Sequence, residues 1–113
     1  MDGGINLPHP GNCYFIAYKF LDEDPRGRNG ILVHGKVRNA ITGNKTFTDH
    51  AWVEIGDMVW DNAYFDIMFP KDAYYRISDA RPERKYTRRQ ARAMALKFGH
   101  YGDWHKTVKK RRK

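Results

Sequence analysis

The sequence predicts an α+β fold, on three observations. A helical apolar period opens at residue 13, β-branched runs with tight-turn signals fill the middle, and a second capped helical period follows residue 87. At 113 residues the chain is sized for one domain. We place that domain at residues 1–105, with a basic tail at 106–113 ending "KKRRK". No apolar run approaches the roughly 20 residues that span a bilayer. The start "MDGGINLPHPGN" has neither the basic nor the apolar part of a signal peptide, so the expectation is a soluble cytoplasmic protein.

Taken in order, "NLPHPGN" is an irregular lead-in whose Asn12 is suited to cap a helix. In "CYFIAYKFL" the residues Cys13, Ile16, Ala17, Phe20 and Leu21 recur at i, i+3, i+4, i+7 and i+8, one helical face. "DEDPRGRNG" breaks that helix, "ILVHGKV" reads as a strand and "ITGNKT" as a turn. "TDHAWVEIGDMVWDN" then reads as a hairpin over Gly56-Asp57, and "AYFDIMFP" is apolar without a clear period. "AYYRIS" reads as a further strand and "DARPERK" as a basic loop. The last helix carries a capping box from Thr87 to Gln90 and a glycine stop at Gly99. Its inner stripe is Ala91, Met94, Ala95 and Phe98, which leaves Arg88, Arg89, Arg92 and Lys97 to solvent.

The hairpin raises the functional question. A two-residue turn pairs Ile55 with Met58, Val53 with Trp60, Trp52 with Asp61 and His50 with Ala63. Side chains alternate, so Ala51, Val53, Ile55, Met58 and Trp60 form a core-facing set, while His50, Trp52, Glu54, Val59 and Asp61 share the other face. Asn62 points away from Asp61 in this register. Asp61 then lies diagonal to His50, within reach of a hydrogen bond that would hold the imidazole in one tautomer. Taken alone, the pair reads first as an ordinary surface ion pair.

Cys13 changes the balance. It is the only cysteine, so no intramolecular disulfide and no multi-cysteine zinc site can form. It stands at a helix start, where unpaired amide N–H groups and the macrodipole favour a thiolate and where its own N–H can donate to an oxyanion. A neighbouring His50 oriented by Asp61 would complete a nucleophile, base and orienter.

"GNCYFIAYKFL", "HAWVEIGDMVWDNA" and, more weakly, "LVHGKV" together resemble papain-like cysteine hydrolases of the small bacterial and phage kind. The likeness is to their transglutaminase-like and cell-wall-endopeptidase-like branches, and covers roughly residues 11–64. It implies a papain-like core, a Cys-bearing helix packed on a small antiparallel sheet, with a C-terminal helix added. It also implies Cys13 as nucleophile, His50 as base and then acid, and Asp61 as orienter. Trp52 and Asn12 become candidate substrate-binding residues. The chain departs from papain in having no glutamine before Cys13 to serve as oxyanion donor; Asn6 or Asn12 could substitute, though Asn12 also fits as the cap. The short chain leaves little material for a long cleft, so the implied substrate is a peptide, a protein side chain or a small amide. No cofactor is expected. Acyl transfer to an amine, as in transglutaminases, is the alternative to hydrolysis.

Among the remaining histidines, His9 could join Cys13 and His50 only in a zinc site short of a fourth protein ligand. His34 reads as structural, and His100 and His105 as seating the C-terminal segment. The charge is uneven: residues 1–80 hold 8 Lys/Arg against 11 Asp/Glu, residues 81–113 hold 13 against 2. That asymmetry supports a rival reading, a non-catalytic module binding nucleic acid or another acidic partner. Its residues would be Arg88, Arg89, Arg92, Lys109, Lys110, Arg111 and Arg112.

Overall fold

The computed structural model describes residues 13–38, 45–62 and 67–104. Helix α1 (Cys13–Glu23) is followed by β1 (Ile31–Val37), β2 (Thr48–Ile55), β3 (Met58–Trp60), β4 (Met68–Pro70), α2 (Lys71–Ser78), β5 (Arg81–Thr87) and α3 (Arg88–Phe98). The class is α+β. The strands form one antiparallel sheet in the order β4-β3-β2-β1-β5.

Both faces of the sheet are covered. On one, Tyr14, Ala17, Phe20 and Leu21 of α1 and Ala91 of α3 pack with Leu32, Ala51, Val53, Trp60 and Trp104. On the other, Tyr74 of α2 closes over Val33, Val37, Trp52 and Val59. The face of β2 carrying Trp52 and Glu54 is therefore a second interior: Trp52 is wholly buried, and Glu54 is only 6% exposed.

The β2–β3 turn falls at Gly56-Asp57, with Gly56 at φ +59°, and the ladder pairs Ile55 with Met58 and Val53 with Trp60 as expected. It ends there. The expected pairing of Trp52 with Asp61 is not made, because β3 stops at Trp60; Ala63 lies outside the described residues. Helix α3 has its capping box, with Thr87 Oγ1 accepting from the Gln90 N–H at 3.1 Å and Gln90 Oε1 from the Thr87 N–H at 2.9 Å. Gly99 ends it at φ +74°.

Two expectations are corrected. "AYYRIS" lies in helix α2, not in a strand. Its aromatic residues favour strand locally, but Tyr74 and Ser78, four apart, are the residues that reach the interior, and a helix is what puts them on one side. "DARPERK" is largely strand β5, not a loop: its charged residues and Pro82 are exposed on the sheet's outer edge, where they discourage pairing with another chain. Strand β5 approaches β1 closely at a bulge beside Gly35, where a Cβ would lie 2.2 Å from the Arg81 carbonyl oxygen. Among the described residues no helix is long and apolar enough to cross a membrane.

His34 is 3% exposed, enclosed by the rings of Tyr14, Trp104 and Tyr86 at 4.8, 5.1 and 5.2 Å. Neither ring nitrogen has a hydrogen-bond partner among the described residues. Burial pushes its pKa down to about 4, against a smaller upward pull from Asp103. The fold therefore holds a neutral imidazole, and between about 6.5 and 4 the unfolded chain binds the extra proton. Stability is present above the unfolded value and lost as pH falls. We predict that urea denaturation at pH 7 and pH 4.5 shows an acid loss, and that His34→Leu reduces it by on the order of 2–3 kcal/mol.

Candidate active site

Helix α1 is held by its apolar face, and Phe20 stacks on Trp60 at 3.9 Å between centroids, with the rings 8° apart. That docking carries the first turn of α1, which begins at Cys13, to the end of β3. Strand β3 is three residues long and pairs β2 only from Val53 to Ile55. At His50, therefore, no described strand lies along that edge of β2. Side chains that alternation assigns to opposite faces of the sheet meet around this gap.

The three expected residues come together there. His50 Nε2 lies 2.8 Å from Asp61 Oδ2, and the thiol of Cys13 is hydrogen-bonded to the same imidazole. With Nε2 engaged by the carboxylate, Nδ1 is the nitrogen left for the sulfur. Asp61 is 3% exposed, and the same Oδ2 accepts a 2.6 Å hydrogen bond from the phenol of Tyr74 on α2. The His50 side chain is 16% exposed. Burial by itself would lower its pKa; the charge and hydrogen bond of Asp61, and then those of Cys13, outweigh burial and raise it to about 10. The shift favours the imidazolium form of the ring. That ring is braced by a buried carboxylate on one side and faces sulfur on the other.

Cys13 is partly exposed and opens onto a small pocket walled by Ile16, Ala17, Trp60 and Asn62. Asn62, expected to face away, lines this pocket instead, since Asp61 and Asn62 follow the end of β3 and are not bound by strand alternation. Trp52, expected at the substrate surface, is in the core. Its ring lies 6.2 Å from that of His50 at 29°, and it backs the imidazole from the interior. Its indole N–H donates to Tyr75 Oη at 3.3 Å, and Tyr75 donates in turn to Glu54, which Lys85 also reaches at 3.3 Å. Asn6 and Asn12 lie outside the described residues.

Tyr74 is the site residue that the sequence reading missed. Read as a strand, "AYYRIS" sets adjacent tyrosines on opposite faces and offers no reason to aim either at Asp61. Only the i, i+4 pairing of Tyr74 with Ser78 signals a buried helical stripe.

The basic residues divide differently from expectation. Arg92 Nε donates to Asp22 Oδ1 at 2.6 Å, and Arg88 donates to the Asp22 carbonyl at 2.9 Å. Both tie α3 to α1 and are not simply left to solvent. Arg89 is exposed, while Lys109, Lys110, Arg111 and Arg112 lie outside the described residues. Among the described residues no group of three or more His, Cys, Asp or Glu could hold a metal ion. Compared with known proteins, the chain matches no family model, no curated protein and no solved structure.

Because the folded pKa of His50 is raised, the stability it lends is complete below about pH 6.5 and is lost as pH rises through about 10. We predict that NMR titration finds the His50 ring still protonated at pH 8.5. In Asp61→Asn its midpoint should fall by about 1–3 pH units.

Proposed function

We propose that this protein is a papain-like cysteine hydrolase that cleaves an amide, isopeptide or peptide bond through a thioester. The observation that carries the reading is the convergence of sulfur, imidazole and a buried carboxylate at the end of α1. A surface ion pair would not need a carboxylate 3% exposed, a second donor on the same oxygen, or a partly open thiol on the ring's other side.

In the proposed reaction the proton of Cys13 has passed to His50, and the thiolate adds to the carbonyl carbon of the substrate. The carbonyl π pair moves to oxygen, where the Cys13 backbone N–H, at the start of α1, can donate to it. Collapse breaks the C–N bond. The leaving amine takes the proton from His50, and a thioester and a neutral imidazole remain. Water then adds to the thioester as His50 accepts its proton, the C–S bond breaks, and acid and thiolate are released beside a recharged ring. Asp61 holds the ring in one orientation and stabilises its positive state through both steps. The pocket beside Cys13 is small, with Ile16, Ala17 and Trp60 in its wall, which favours a short acyl group: a small amide, a peptide stem or one protein side chain. A cytoplasmic setting would keep the thiol reduced.

Acyl transfer to an amine shares every step up to the thioester, and product analysis with an added primary amine separates the two outcomes. A localising role on nucleic acid or another acidic partner falls to Arg89 and the cations of residues 106–113. Deleting 106–113 should weaken salt-sensitive binding to such a partner and leave turnover of a small substrate unchanged.

The decisive test is a screen of amide and ester substrates against wild type and Cys13→Ala. We expect Cys13→Ala to lose at least about 10³-fold in kcat and to keep its far-UV spectrum and thermal midpoint. Iodoacetamide should alkylate Cys13 rapidly at pH 7, and about tenfold or more slowly in His50→Ala. An alkylation rate indifferent to His50, with no substrate turned over, would defeat the hydrolase reading.

A further inference from the structure

Two donors meet on a single oxygen of Asp61. Oδ2 receives His50 Nε2 at 2.8 Å and Tyr74 Oη at 2.6 Å, with Asp61 3% exposed and Tyr74 1% exposed. A phenol can orient a carboxylate only if its own ring is fixed, and this one is. Tyr74 packs against Trp52 at 5.6 Å and Tyr75 at 5.8 Å between centroids, and Trp52 in turn backs His50. The phenol, the carboxylate and the imidazole are thus held by one aromatic wall between α2 and the sheet.

We propose that Tyr74 is a positioning residue: its phenol holds the Asp61 carboxylate in register with His50 and takes up part of its negative charge, thereby setting how firmly Asp61 grips the ring. The catalytic consequence rests on the hydrolase reading, whereas the grip itself does not. Hydrogen bonds to an ionised acceptor are short and strong, and donors sharing one oxygen compete for its charge. With the phenol present, Asp61 steadies the imidazolium less than a carboxylate left wholly to His50 would. A general acid has to release its proton to the leaving group, so a moderated grip favours that step. The phenol also limits rotation of the carboxylate, which keeps the imidazole turned toward Cys13.

Among the described residues, the titratable and charged groups facing His50 are Cys13 from α1 and Asp61 after β3, with Tyr74 from α2 acting through Asp61. Burial lowers the affinity of His50 for its proton, and Asp61 and Cys13 raise it. Removing the phenol leaves more of the charge of Oδ2 to His50, so the imidazolium should be held more tightly.

The test is Tyr74→Phe, which keeps the ring and removes the donor. The His50 midpoint is read by NMR on 15N-histidine protein, assigned with His50→Gln. We expect it to move upward by about one pH unit, a tenfold change in proton affinity. With a turned-over substrate, kcat should fall about tenfold while KM stays within about twofold, and the basic limb of kcat/KM should move up in parallel. A packing role alone would change neither midpoint nor limb. A folded Tyr74→Phe protein whose midpoint moves by less than about 0.3 unit, or moves down, overturns the proposal. If that variant does not fold, 3-fluorotyrosine at position 74 keeps the shape and strengthens the donor; the midpoint should then move down, and an unmoved midpoint overturns the proposal equally. Since the titration needs no turnover, absence of activity on every substrate would sink the hydrolase reading and leave the role of Tyr74 to be decided by the midpoint.

Discussion

A carboxylate removed from water is costly to the fold unless other groups replace the water it loses. At Asp61 the replacements come from His50 on β2 and Tyr74 on α2, and this need for partners constrains much of the rest of the molecule. The end of β3, the start of β2 and the first turn of α2 must all be in place for the charge to be tolerated. Loss of either donor would take a partner from a buried charge, so the packing here and the geometry of the site depend on the same contacts. The carboxylate's side of the site is therefore continuous with the second core through Tyr74, while Cys13 comes from the first.

The shortness of β3 matters as much as what it carries. A β3 extended past Trp60 would run beside β2 at His50, hold Asp61 and Asn62 to strict alternation, and close the gap through which Cys13 reaches the ring. Stopping at Trp60 retains the stacking of that ring on Phe20, which anchors α1, and frees the next two residues to turn into the pocket. A thiol from one side of the sheet and a carboxylate from the other thus meet at the edge between them.

Glu54, the other buried acid of β2, follows the same logic without an opening to a thiol. Tyr75 donates to it, Lys85 and Lys71 reach it, and Tyr75 in turn receives Trp52. Burial first, and then the bond to Glu54, raise the pKa of Tyr75, so its phenol stays a donor. Adjacent tyrosines of α2 thus serve two different acids. On the opposite side Asp22 gathers Arg88 and Arg92, which join α3 to α1. Arg88 and Arg92, which read as a surface for partners in one dimension, also serve here to fasten helices.

Much of this was legible in the chain before any coordinates. The period from Cys13 to Leu21, the Gly56-Asp57 turn, the Thr87–Gln90 box and Gly99 each rest on interactions between near neighbours, and sequence alone determined them. It also determined that Cys13 opens a helix and that His50 and Asp61 flank a hairpin. It did not determine that "AYYRIS" is helical, that "DARPERK" is largely an edge strand, that Trp52 is interior, or that Asn62 turns into the pocket. Those outcomes follow from which surfaces meet: α2 is a helix because the second face of the sheet needed Tyr74 and Ser78 on one side, and local preference is too weak to oppose that burial. The tyrosine on Asp61, 13 residues away along the chain, belongs wholly to that long-range choice.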